Sequence, residues 1–310
     1  MKPFFIVGPT ATGKSEIAAE IASQLDAEVV SADAFQIYRG LDLLTAKPEE
    51  AILRKVPHHL LSVVPLGEEM NAEKFRSAAV KTIEAIHARK KRAIVVGGSG
   101  LYIKALTHGL SRLPQGDPKL RARLSESSLD ELRDQLVVLD PAGAQKIDLK
   151  NRRRVLRALE ICLLTGQPFS ELRTRDSRPD TLNGPSSRVG KEGVLLFWNR
   201  AELYERIDRR VEKMFAQGVV EEVRAARELS STAQKALGLR EIRALLAGEI
   251  SEKDCIASIQ QATRRYAKRQ LTWFRGQPNF EALNISSYGY PEATNLIAQN
   301  AGSTFAQNDD

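Results

Sequence analysis

Short apolar runs alternate with stretches of helical periodicity over the first hundred residues. Phe4-Phe5-Ile6-Val7 is a continuous apolar run, and Ile17, Ala18, Ile21 and Leu25 follow it at helical spacing. Val29-Val30 begin a second short strand that ends at Asp33. Phe75, Ala79, Ile83 and Ile86 mark an amphipathic helix, and Ala93 to Val96 a third strand, broken by Gly97-Gly98. Strands alternating with helices predict a parallel sheet with right-handed crossovers. The pattern changes after about residue 113. From Pro114 to Gly190 only helical periodicity remains, over Leu120–Leu124, Leu129–Val138 and Val155–Leu164, and Thr174–Gly190 reads as a polar, flexible loop. Val194 to Trp198 returns as a strand. Long helices then carry Ile207, Val211 and Phe215, and Ile256, Ile259, Tyr266 and Trp273.

Between the first strand and the first helix lies Gly8-Pro9-Thr10-Ala11-Thr12-Gly13-Lys14-Ser15, which fits G-x-x-x-x-G-K-[ST] in the context that motif requires. Gly8 and Gly13 let the backbone curl so that successive N–H groups face one anion, and the helix N-terminus adds its partial positive charge. Lys14 reaches phosphate oxygens, and Ser15 is the candidate ligand for a bridging Mg²⁺. The loop identifies a polyphosphate or nucleotide, not a reaction, since kinases, ATPases and diphosphate-releasing transferases all use it. The expected fold is therefore α/β, a P-loop NTPase-like parallel-sheet core over residues 1–113 and 191–285. A mostly helical insertion spans 114–190, and a polar tail that frays spans 286–310.

Composition narrows the class little. With 42% hydrophobic and 27% charged residues the chain reads as soluble and globular. No apolar run approaches the roughly 18 residues of a membrane span, and Phe4 to Val7 is too short for a signal-peptide core. Cys162 and Cys255 show no metal spacing and read as buried thiols of a reducing cytoplasm. The histidines, His58-His59 included, read as structural, with no acidic or cysteine ligands at metal spacing. A net charge of +7 makes an anionic partner plausible.

Further blocks give the loop a context. Ser31-Ala32-Asp33-Ala34-Phe35-Gln36-Ile37-Tyr38-Arg39-Gly40-Leu41-Asp42 comes first, followed by Thr45 to Pro48 and Pro57 to Leu60. Then come Val96 to Tyr102, Arg153 to Glu160 and Thr263 to Arg275. Together with Gly8–Ser15 these resemble, in order and over about residues 4 to 280, the tRNA dimethylallyltransferase family. The resemblance implies attack by N6 of the adenosine just 3′ of the anticodon on C1 of dimethylallyl diphosphate, with Mg²⁺ assisting. It implies Asp33 as general base. Thr10, Lys14 and an arginine aligning with Arg210, or with Arg206 in the same arginine-rich run, would act on the leaving diphosphate. For the anticodon stem-loop it points to Asp33, Ala34, Phe35, Gln36, Ser99, Arg121, Arg153, Arg154, Val155, Leu156, Arg157, Lys235, Gly238, Arg240, Lys268, Arg269 and Arg275. A monomeric protein without membrane contact is expected.

The residue types suit that chemistry. An adenine amine must lose a proton as the C–N bond forms, and a carboxylate within reach can accept it. Cations aimed at the leaving diphosphate stabilise the developing charge. Arginines flanking apolar positions on a helix suit phosphate contacts, and the stacked target base must be flipped out. The chain departs from the family pattern at Ala34, Leu44, Ser62, Ser99 and Leu239. None of these removes Lys14, Ser15 or Asp33. The alternatives are a P-loop kinase of a small metabolite, a prenyltransferase of free adenine nucleotides, and a nucleotide-regulated RNA-binding protein.

Overall fold

A computed structural model of the chain describes residues 2–110, 113–175 and 191–306. Six strands form one parallel sheet: β1 (Phe4–Val7), β2 (Ala27–Ser31), β3 (His58–His59), β4 (Arg92–Gly97), β5 (Gly193–Phe197) and β6 (Phe280–Asn284). Their order is β3-β2-β4-β1-β5-β6. β1 lies between β4 and β5, in register Val7↔Gly97 and Val7↔Leu195. Both its faces are covered, which is why it reads as an unbroken apolar run. The chain leaves β1 toward β2 on one side and later crosses from β4 to β5 on the other. That reversal makes the β1/β4 boundary a switch point, where ligands of such sheets bind beyond the strand ends.

Helix Lys14–Gln24 packs Ile17, Ala18 and Ile21 against Phe4, Ile6, Val29, Ile94 and Val96. Helix Ala72–Ala88 buries Phe75, Ala79, Ile83 and Ile86, as its spacing predicts. Helices Arg200–Ala216 and Glu252–Arg275 pack together beyond β5.

Two elements differ from the expectation. Over residues 286–306 the expected tail does not fray. Ile285–Ala306 is helical on both sides of a break at Gly289 (φ 72°), and the part after the break buries Ala293, Ile297, Ala301 and Phe305 against the sheet core; residues 307–310 lie outside the described residues. Those positions recur every four residues, a single apolar stripe hidden among Asn, Gln, Ser and Thr. Ahead of it, β6 is an edge strand that buries only Phe280 and Leu283, too little alternation to stand out.

Contacts divide the chain into two compact units, Met1–Thr107 with Ser186–Asp310, and His108–Pro185. In its described residues the second unit contains helices Pro118–Glu126, Leu129–Leu139, Pro141–Lys146, Arg152–Thr165 and Phe169–Arg175. Leu124, Leu132, Leu136, Val155, Leu159 and Cys162 form its core. Its helix starts are written locally: Asp117 caps Lys119 and Leu120 ahead of Pro118, and Ser128 with Glu131 forms a reciprocal capping box. Of the segment read as a loop, Thr174 and Arg175 end a helix, and 176–190 lies outside the described residues. No helix among the described residues is long and apolar enough to cross a membrane.

Candidate active site

The phosphate loop leaves β1 and closes at Gly13, whose φ of 82° lies in the left-handed region. A Cβ at Gly13 would overlap the Tyr290 phenol, which donates to Gly13 O at 2.8 Å. Trp198 Nε1 donates to Thr12 O at 3.3 Å. The loop is thus braced by residues from β5's end and from the C-terminal helix. Lys14 Nζ donates to Pro9 O at 2.5 Å and to Thr12 Oγ1 at 3.3 Å. Burial, with the nearby Arg210 charge, lowers the Lys14 ammonium to about 8, against the opposing pull of Asp33 and Glu16.

The two candidate arginines do different things. Arg206 Nε donates to Ala11 O at 2.9 Å and its guanidinium lies 4.7 Å from the Trp198 ring centroid, so it holds the loop. Arg210 Nη1 donates to Thr10 Oγ1 at 2.9 Å and lines the open site; burial lowers its pKa. At the end of β2, Asp33 Oδ1 accepts from Phe35 N at 2.9 Å and Gln36 N at 3.3 Å, which fixes the carboxylate plane. Ser99, on the loop after β4, accepts from Ala34 N at 2.9 Å. The family departure at Ala34 therefore leaves its backbone anchored.

Two open spaces meet here. A broad polar groove is lined by Lys14, Ser15, Glu16, Asp33, Gln36 and Arg206. A small cavity of about 80 Å³ is lined by Phe35, Leu44, Ile207, Val211, Met214 and Phe215. Thr10, Asp33, Thr45, Arg210 and Met214 line both. Tyr266 also faces the cavity, where burial, then the Asp33 charge, raises its phenol and keeps it neutral. The departures at Leu44 and Leu239 are absorbed in this apolar wall and its core. At Ser62, the hydroxyl accepts from Lys47 Nζ at 2.7 Å, and Asp42 supplies the charge partner at 2.5 Å.

The polynucleotide candidates divide into exposed and built-in groups. Arg153, Arg154, Lys235, Arg240, Lys268, Arg269 and Arg275 are exposed. Arg269 lies 5.7 Å from the Tyr266 ring centroid, and Arg275 lies 5.4 Å from that of Phe197. Arg121 and Arg157 both pair with the fully buried Glu160, at 2.8 and 2.6 Å, so part of their role is internal to the helical unit. Val155 is fully buried and Leu156 packs on the same core. The resemblance points to both as RNA-contacting, yet their side chains are turned into the unit, as expected of apolar residues on an arginine-flanked helix. Gly238 (φ 91°) starts helix Leu239–Leu246. Gln36 donates to Thr45 O at 3.2 Å and Ala46 O at 3.0 Å.

The sequence reading missed Gln270 and Tyr290. Gln270 Oε1 accepts from Thr10 N and its Nε2 donates to Gly98 O, each at 2.9 Å. One signal was available: Thr263, Ala267, Gln270 and Phe274 form the buried stripe of helix Glu252–Arg275, and a glutamine in such a stripe calls for buried partners. His58 and His59 behave as structural groups. His59 Nε2 and Arg89 meet Glu28 at 2.6 and 2.8 Å, and His58 Nδ1 lies 2.8 Å from Val56 O. Both cysteines are buried and free, and the described residues hold no metal-ligating cluster.

A phosphate loop at a sheet switch point, opening beside an apolar cavity with a carboxylate at the junction, places the chain in the class of P-loop-type transferases. A sequence model described as IPP transferase matches residues 36–277. The chain is 44% identical over 289 residues to a tRNA dimethylallyltransferase of Akkermansia muciniphila, covering 93% of this chain and 95% of that one. Its fold is similar to the crystal structure of a tRNA isopentenylpyrophosphate transferase from Bacillus halodurans (TM-score 0.69, 32% identity, 100% and 99% of the two chains). It is also similar to a eukaryotic dimethylallyltransferase captured acting on tRNA (TM-score 0.78, 26% identity, 99% and 80%). The chain belongs to the IPP transferase family.

Proposed function

We propose that the protein transfers the dimethylallyl group from dimethylallyl diphosphate to N6 of the adenosine 3′-adjacent to the anticodon in tRNA. The observation that carries this reading is the junction of polar groove and apolar cavity at Thr10, Asp33 and Arg210. A diphosphate held by the loop amides and Lys14 would direct its five-carbon group toward the apolar wall, with C1 near Asp33. Attack forms the N6–C1 bond, the C1–O bond breaks, diphosphate leaves with the bonding pair, and an N6 proton passes to Asp33. Lys14, Arg210 and Thr10 would stabilise the charge that grows on the departing oxygens. Asp33 Oδ1 is already engaged by two backbone N–H groups, leaving Oδ2 to hold and deprotonate the amine.

Ser15, on the first turn of the loop helix, offers a hydroxyl oxygen of the hard type Mg²⁺ prefers, and the ion would take its remaining ligands from diphosphate and water. Bound there, it would neutralise diphosphate charge. For tRNA, the exposed Arg153 and Arg154 of one unit and Lys268, Arg269 and Arg275 of the other suit phosphate contacts.

The test supplies the protein with Mg²⁺ and either dimethylallyl diphosphate or ATP, each with unmodified tRNA or with AMP. Only the allylic diphosphate with tRNA should give product, prenylated on N6 of one adenosine. Phosphate transfer from ATP would establish a kinase instead. Equal prenylation of AMP would move the protein to free nucleotides, and binding without product would make it an RNA-binding protein.

A further inference from the structure

Gln270 lies in the helix that otherwise presents basic residues, yet its side chain is turned inward and is nearly inaccessible. Its two ends meet complementary partners. Thr10 N–H can only donate, so the atom facing it is Oε1; Gly98 C=O can only accept, so the atom facing it is Nε2. The amide orientation is therefore fixed by its surroundings. Gly98 allows the close approach, since a Cβ there would come within 2.4 Å of Nε2.

What these hydrogen bonds join is specific. On one side, Thr10 belongs to the phosphate loop and its hydroxyl accepts from Arg210. On the other, Gly98 precedes Ser99, whose hydroxyl holds Ala34 N next to Asp33. A single side chain thus spans the group that anchors the leaving diphosphate and the segment that presents the proton acceptor. It also engages the Thr10 N–H, so that amide is not one of those left to face an anion.

We infer that Gln270 is a positioning residue for the transfer step, fixing the separation between the diphosphate anchor at Thr10–Arg210 and the acceptor side at Asp33. This rests on the prenyl-transfer reading. Gln270 touches no reacting atom, so its loss should fall on the rate of transfer and not on donor affinity. A misplacement of about 1 Å is enough to slow a reaction by roughly 10²-fold.

Gln270→Glu provides the test. The carboxylate keeps an acceptor for Thr10 N–H but sets an anion against Gly98 O, and protonation restores the missing donor. Burial beside a carbonyl raises a carboxylate's pKa, so recovery should fall within an accessible range. The measured quantity is the single-turnover rate of the variant divided by that of wild type, from about pH 8 down to about pH 6, at saturating donor and tRNA. The expected ratio is about 0.03 or lower at the alkaline end, rising at least tenfold on acidification. Inorganic diphosphate should bind the uncharged Gln270→Met variant within about threefold of wild type. Gln270→Met, of similar volume but without either hydrogen bond, should show the loss and no recovery. A pH-independent ratio, a loss confined to diphosphate binding, or unimpaired transfer by the methionine variant would overturn the inference. Amide exchange at Thr10 in the ligand-free wild type judges the clamp apart from activity and from variant folding. Protection is expected, and exchange as fast as an open loop would overturn it. If wild type prenylates nothing, the functional reading fails while the Thr10 amide still reports on the clamp.

Discussion

Lys14 is buried beside Arg210, and in the absence of an anion its ammonium is lowered to about 8. A diphosphate seated in the loop supplies the missing counter-charge and pulls the proton affinity back up. Binding therefore takes up a proton wherever the free protein has lost it. The sign follows from the direction of the shift: affinity is full below the free-protein value and falls as pH rises through it. For one such group the apparent Kd grows by a factor of 1 + 10^(pH − pKa), about twofold at pH 8 and roughly 11-fold at pH 9. Titration calorimetry of inorganic diphosphate from about pH 7 to about pH 9.5, in buffers of different ionisation enthalpy, should show an uptake in excess over Lys14→Arg that is near zero at the lower end and about half a proton at pH 8. Inorganic diphosphate loses its own last protons in and near this window, a contribution common to both proteins that the comparison removes. Lys14→Arg keeps its charge throughout this range, so the added rise in Kd on alkalinisation should appear in wild type alone, whatever the variant's absolute affinity. A wild-type Kd that tracks that of Lys14→Arg to the top of the range, with no proton uptake in excess of it, would refute the argument.

Asp33→Asn should lower single-turnover transfer by roughly 10² or more, with donor affinity little changed; loss of diphosphate binding with transfer intact would make Asp33 part of the phosphate site. Neutralising the exposed Arg153 and Arg154 should weaken tRNA binding and reduce its salt slope by about 0.7 to 0.9 for each phosphate no longer neutralised, leaving inorganic diphosphate binding unaffected. Phe305→Ala removes a ring packed edge-on to Phe4 at 6.3 Å and should destabilise the protein by about 3 kcal/mol in urea unfolding, where a fraying tail would give no change.

The features legible before folding lie in short, self-contained stretches. Gly8 to Ser15 specify a phosphate loop within eight residues, because the glycines, the lysine and the helix start act on one another directly. The apolar runs of β1 and β4 betray strands buried on both faces, and Phe75, Ala79, Ile83 and Ile86 betray a helix with one face buried. Asp33 was legible because it follows a strand onto the edge where ligands collect. Tertiary structure decided the rest. That Arg210 meets Thr10 while Arg206 holds Ala11 depends on the angle at which helix Arg200–Ala216 crosses the loop. That Arg157 is engaged by Glu160 depends on what burial does to a carboxylate on the same helix face. Gln270 and Tyr290 reach the loop from 260 and 277 positions away. Local patterns record which face of an element turns inward, but the partner on that face is chosen by the packing of the whole chain. A buried glutamine or a stripe of alanines acquires its meaning only once that packing exists.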